Sequence, residues 1–240
     1  MIGTTCMAML PLPVIAPDVY LSLANSLETL DPASALPPGT NKAIIAGYTA
    51  QLKLMAAGIR SNNTAWLQTG IGGSPSIAIF NMHPLSRGYV NINTSAPLNE
   101  PVVDYRVLTN PVDIQIHIAL LKGMRKYFAS DALRGLEPVE ISPGANVTTD
   151  EDLAVWVENV LGPSAYHPVG TCAKMPVELG GVVDESLKVH GVSRLRVVDA
   201  SIMPLLVGAA TQSTVYSIAE KVSCINASSL LISKRQHGRY

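Results

Sequence analysis

Tyr166-His167-Pro168-Val169-Gly170-Thr171-Cys172, taken with Val197-Val198-Asp199-Ala200-Ser201-Ile202-Met203-Pro204, is the part of this chain with the most to say. In the first segment a histidine stands beside a proline and just ahead of a Gly-Thr turn. Proline fixes φ and removes a backbone donor, so the imidazole is carried at a bend rather than inside a regular element. The second segment is an apolar run that ends in an acidic-small-small turn. It predicts a buried strand over Arg194 to Asp199. Between the two lie Gly180-Gly181-Val182-Val183-Asp184 and Gly191-Val192-Ser193-Arg194-Leu195-Arg196. His167 is the leading candidate for chemistry, because an imidazole can take a hydroxyl proton near neutral pH.

Upstream, a second block reads Pro84-Leu85-Ser86-Arg87-Gly88-Tyr89-Val90 and continues to Pro101-Val102-Val103-Asp104-Tyr105. Ser76 to Met82 and Gly88 to Asn93 alternate apolar and polar residues, which predicts two half-buried strands joined by turn chemistry. Pro101 to Tyr105 is a third extended piece. Residues 1–40 are proline-rich and read as extended segments and short turns, with a short helix over Asp18 to Leu30 capped by Asp18. Asn41 to Arg60 has helical spacing with Asn41 as N-cap, and Gly58 marks its stop. Pro111 to Tyr127 has the same spacing with proline in the first turn. Thr149-Asp150-Glu151-Asp152 opens a helix that Gly162-Pro163 ends, and its acids suit the positive N-terminal end. Thr211 to Asn226 reads as the last helix, and 227–240 as a frayed basic tail. Gly70-Ile71-Gly72-Gly73 reads as a loop.

Composition narrows the field. The chain has 240 residues, 48% of them hydrophobic, enough for a core. Only 15% are charged and the formal net charge is −1, which points away from nucleic acid and from a polybasic membrane surface. No apolar run reaches the ~18–20 residues of a membrane-spanning helix. Met1 to Val19 is broken by prolines and lacks a basic n-region, a poor secretory signal, so a cytoplasmic location is the default expectation. Cys6, Cys172 and Cys224 form neither a disulfide framework nor a metal site, and no metal is expected. Asn-x-Ser/Thr sequons occur at Asn62, Asn93, Asn146 and Asn226 and matter only on a secretory route.

The two blocks together closely resemble the C-terminal signature of the glucose–methanol–choline (GMC) oxidoreductases. The resemblance implies an α+β fold: an antiparallel sheet flanked by helices, the family's substrate-binding domain, over 1–160 with the sheet mainly at 40–110. It further implies that 161–226 is the C-terminal return segment of an FAD-binding domain whose Rossmann part is absent from this sequence. His167 would take the substrate's hydroxyl proton above the flavin. Asp199, Ala200 and Ser201 match the turn whose backbone approaches the flavin and its phosphates; the alternative role for Asp199 is a helix or turn cap. Thr211 and Gln212 match positions that face its ring. Family members carry a second histidine, or an asparagine, where this chain has Ala210. Arg87 and Asp104 are expected to hold the substrate domain together. Trp66, Phe80, Tyr89 and Tyr105 either pack on the sheet or line a pocket.

The implied function is FAD-dependent oxidation of the CH–OH group of a small-molecule alcohol, either aromatic or a natural-product intermediate. The Gly-x-Gly-x-x-Gly turn that cradles a dinucleotide does not occur in these residues. The 240 residues alone are therefore expected not to retain FAD. Self-association, or a partner carrying the FAD domain, is expected to cover Val197-Val198 and Val215 to Val222. Two alternatives stand beside this reading. One is a flavin-free enzyme using His167 for dehydration, cyclisation or isomerisation. The other is a non-catalytic binding protein on the same scaffold.

Overall fold

The computed structural model describes residues 4–72 and 77–237, with the side chains at 4, 5, 71, 72 and 225–237 outside the description. The chain divides into two compact units. The first comprises Met1–Thr40 and Thr49–Ala165, the second Asn41–Tyr48 and Tyr166–Tyr240.

The first unit opens with strand β1 (Thr4–Leu10), followed by the short helix α1 (Leu12–Ile15) and helix α2 (Tyr20–Thr29). Asp18 is not the cap of α2. The N-cap is Val19, which makes no side-chain cap bond, and Asp18 instead pairs with Lys126 at 2.7 Å. Helix α3 (Lys42–Ile59) starts where expected, because Asn41 Oδ1 accepts from Ile44 N at 2.9 Å. Its residues from Thr49 onward belong to this unit.

Strands β2 (Leu67–Gly72) and β3 (Ile79–Asn81) complete a three-stranded antiparallel sheet in the order β1-β2-β3. Gly70, Ile71 and Gly72 are thus strand residues and not a loop, since Met7 and Cys6 pair with Gly70 and Ile71. A partner strand supplied from far away in sequence overrode the local glycine signal. Gly73 and Ser76, which belong to two of the sequence readings, lie outside the described residues. Strands β4 (Tyr89–Asn91) and β5 (Val102–Asp104) form a separate antiparallel pair.

Helix α4 (Pro111–Phe128) is the spine of this unit. Proline occupies its first turn, Asn110 caps it by accepting from Val112 N at 3.0 Å, and Arg125 and Lys126 close it where a cation complements the dipole. Ile118 and Leu121 of α4 pack with Leu153 of helix α5 (Asp150–Val160) and with Ile79 of β3. Thr149 caps α5, accepting from Asp152 N at 3.1 Å.

Asp113, 2% exposed in the first turn of α4, receives Leu85 N at 2.8 Å, Ser86 N at 2.7 Å and Ser86 Oγ at 2.6 Å. Arg87 donates to the carbonyls of Pro84, Leu85 and Ser86 and, through Nε, to Gln51. The Pro84–Arg87 block is therefore a turn pinned to a helix start, and Arg87 has the structural role expected of it. Asp104 acts locally, accepting from Arg106 N at 2.8 Å.

The second unit holds the first turns of α3 and the chain from Tyr166 on, ending in helix α6 (Gln212–His237). The helix runs past Asn226 and through residues expected to fray. Arg194 to Asp199 is not a buried strand. Arg196 makes a single antiparallel bridge with Lys188, and two further bonds, Val189 N to Leu195 O and Val197 N to Leu187 O, complete a short irregular pairing. Positive φ at Leu187 (62°) and Arg194 (62°) interrupts any longer ladder. The unit's core joins Val183, Leu187, Ile202 and Val222, with Val197 and Ile218 packed against it. Val197, Ile218 and Val222, three of the residues expected to be covered by a partner, thus pack within the chain. Val198 (37% exposed) and Tyr216 (68% exposed) remain at the surface.

Candidate active site

The site is built from the second unit's loops. Tyr166 adopts a left-handed conformation (φ 63°) with its side chain 98% exposed, and His167 follows it on the surface. A bulky residue at positive φ is uncommon and concentrates at functional turns. Gly170 has φ 89°, and a Cβ there would sit 3.1 Å from the carbonyl oxygen of Met203. Only glycine meets both demands at low cost.

Two backbone bonds then fasten the end of the histidine motif to the second segment: Cys172 N to Ser201 O at 2.9 Å and Lys174 N to Ile202 O at 2.8 Å. The Asp199–Ser201 turn is a short 3-10 helix, Ala200–Ile202, with Asp199 as its N-cap. The Asp199 carboxylate accepts from Ser201 N at 2.8 Å and from Ser201 Oγ. Its oxygen is spent on shaping this turn.

Thr211 is 8% exposed, and its carbonyl accepts from Val215 N at 3.0 Å to begin α6. Gln212, the first helical residue, is exposed, and so is Ala210 before it. The first-turn N–H groups of a helix have no intrahelical acceptor, and that end carries positive potential. The helix is anchored by Val222 and Ile218 on the cluster that includes Ile202, one residue beyond Ser201. The histidine motif, the Asp199 turn and the start of α6 are thus parts of one packed unit.

Sequence reasoning did not single out Gln68. Gln68 Oε1 on β2 and Trp66 Nε1 just ahead of it are buried without a hydrogen-bond partner, and Trp66 stands edge-on to His83 with ring centroids 5.2 Å apart. Residues two apart on a strand share a face. Buried polar atoms of this kind are ordinarily satisfied by water or a ligand. The only signal in the sequence was the alternation of β2, which the glycines obscured. Tyr89 lies half-buried in β4, and Tyr105 is 42% exposed. Among the described residues no group of three or more His, Cys, Asp or Glu is placed to hold a metal. Among them, too, no helix is long and apolar enough to cross a membrane.

The family model described as GMC oxidoreductase matches residues 84–219, and this chain belongs to that family. Dehydrogenase xptC of Emericella nidulans is 36% identical over 210 residues, covering 88% of this chain and 34% of its own length. Among solved structures, a new fungal aryl-alcohol oxidase is 35% identical with a TM-score of 0.89, over 94% of this chain and 38% of that one. An FAD-dependent oxidoreductase from Chaetomium thermophilum is 34% identical with a TM-score of 0.87, over 96% and 38%. The chain spans about a third of the length of the curated relatives it matches. Its mixed α and β architecture with small antiparallel sheets agrees with the α+β expectation.

Proposed function

We propose that these residues form the proton-accepting half of an FAD-dependent alcohol oxidoreductase, with His167 as the base. The observation that carries the reading is the pair of backbone bonds from Cys172 and Lys174 to Ser201 and Ile202, which tie the histidine bend to the turn matched to the flavin. The likeness to an aryl-alcohol oxidase supports an alcohol, aromatic or a natural-product intermediate, as substrate.

The residues present fit one edge of a flavin. Ala200 and Ser201 offer backbone in a turn already shaped by Asp199. Thr211 and Gln212 open a helix whose free N–H groups favour an anionic ring edge. A flavin held there would supply the acceptor for the hydride of the alcohol carbon. The task of this chain is the other half of the oxidation. His167 orients the hydroxyl and takes its proton. Ala210 contributes no donor to the oxygen, so the developing charge is stabilised less than in relatives with histidine or asparagine there. That feature also favours the second reading, in which His167 performs acid–base chemistry without flavin.

A visible absorption spectrum tests the choice. The 240-residue chain is expected to lose flavin on dialysis, whereas the chain joined to a part bearing the dinucleotide-binding turn is expected to keep it and to oxidise aryl alcohols. Failure of the joined protein to take up flavin would support the flavin-free reading. Stoichiometric flavin on the dialysed short chain would show that the cradle is complete without that turn.

A further inference from the structure

The sequons play no part in the site above, and their placement is informative. Asn62 lies in the turn after α3 with its side chain exposed, followed by exposed Asn63 and half-buried Thr64. Asn146 ends the turn segment before α5 and is exposed, as is Thr148. Asn93 differs from both: it is half-buried, and its Oδ1 accepts from Ser95 N at 3.1 Å in an Asx-turn. The fully buried asparagine, Asn110, is followed by Pro111 and lies outside any sequon. Asn226 carries one of the side chains outside the description.

We infer that Asn62 and Asn146 are N-glycosylation sites, so that the protein passes through a secretory compartment in place of the cytoplasmic default. A glycan is large and hydrophilic, and only an asparagine on an exposed turn can carry one without disturbing packing. Both positions meet that requirement. The amide Nδ2 attacks C1 of the first sugar of a lipid-diphosphate-linked oligosaccharide. The N–C1 bond forms, the C1–O bond to the diphosphate breaks, the amide gives up one proton, and the lipid diphosphate leaves. No oxidant or reductant is needed. The hydroxyls of Thr64 and Thr148 complete the recognition element two residues on. Both sites lie in the first unit, so the second unit, with His167, is left without a glycan at these positions.

The test uses the protein recovered from its natural source. An amidase that releases N-glycans converts each occupied asparagine to aspartate, which peptide mass spectrometry reads directly. Conversion at Asn62 and Asn146, with one step of gel mobility lost for each of Asn62→Gln and Asn146→Gln, is the expected result. Thr64→Ala and Thr148→Ala should remove the same steps while leaving each asparagine in place, which separates lost recognition from misfolding of a glutamine variant. Unmodified asparagine at either position in the natural protein overturns the assignment of that position.

Discussion

Cys172 donates its backbone N–H to the carbonyl of Ser201 at 2.9 Å, so the bend that carries His167 cannot shift without moving the turn that Asp199 caps. The coupling runs through main chain and is insensitive to the side chain at Cys172. The nearby approach of Gly170 to Met203 is the point where a side-chain change should be felt.

Gly170→Ala must hold alanine at φ 89° and place its Cβ 3.1 Å from the Met203 carbonyl. The left-handed conformation costs about 1–2 kcal/mol for a non-glycine residue, and the contact adds to it. A fall of the urea midpoint corresponding to roughly 1–3 kcal/mol is expected, with an unchanged denaturant slope. An unchanged midpoint would show that the bend is looser than the geometry implies.

Asp113→Ala removes the shared acceptor of Leu85 N, Ser86 N and Ser86 Oγ beneath the Pro84–Arg87 turn. Each buried donor left unsatisfied costs about 1–3 kcal/mol. A loss of roughly 2–5 kcal/mol by equilibrium unfolding is expected. Asp113→Asn, which keeps one acceptor oxygen, should lose less. Equal losses in the two variants would argue against hydrogen bonding as the cause.

His117 on α4 is held below its ordinary value of 6.5, chiefly by burial, with the Asp113 charge one turn earlier opposing part of the shift. The unfolded chain therefore binds a proton more readily than the folded one. The contribution to stability is complete above about pH 6.5 and is lost as pH falls from there through the lowered folded value, by at most about 1.4 kcal/mol per pH unit. His117→Gln should flatten that limb of the stability–pH curve. A limb of the same slope in the variant would assign the proton uptake to another group.

In a flavin-loaded protein that includes these residues, His167→Ala should abolish alcohol oxidation and Ala210→His should raise it. The second change offers the developing alkoxide another donor, worth about 2–4 kcal/mol in the transition state if it is well aimed. Steady-state kcat/KM for a benzylic alcohol is the measurement. Intact turnover in His167→Ala would place the base elsewhere. No gain from Ala210→His would favour the flavin-free reading.

The helices were the legible part of the fold. Asn41, Pro111 and Thr149 are local start signals, and each begins a helix as expected because a cap acts within three residues. Asp18 looked equivalent, but a carboxylate at a helix start can turn to a distant lysine, and it does so toward Lys126. The sheet was harder to read, because β2 contains Gly70 and Gly72 and becomes a strand only by pairing with β1, some sixty residues earlier. Arg194–Asp199 failed for the opposite reason. Its apolar alternation is real, but the chain around it turns left-handed and offers no regular partner. The candidate site was legible as residue types and order. The Asp199 cap was legible only as one of two roles, since a cap and a ligand contact use the same side chain.

Gly47 in α3 lies so close to the Leu179 carbonyl that any side chain at that position would run into main chain. Gly47 and Leu179 belong to the same unit although more than a hundred residues separate them. For protein engineering this sets a rule of transplantation. The loops that carry His167 cannot be lifted out as the continuous piece from Tyr166 onward, because that piece omits Asn41–Tyr48, a segment of its own unit. A graft that carries both segments inherits the fit at Gly47, and one that carries only the later segment must rebuild it.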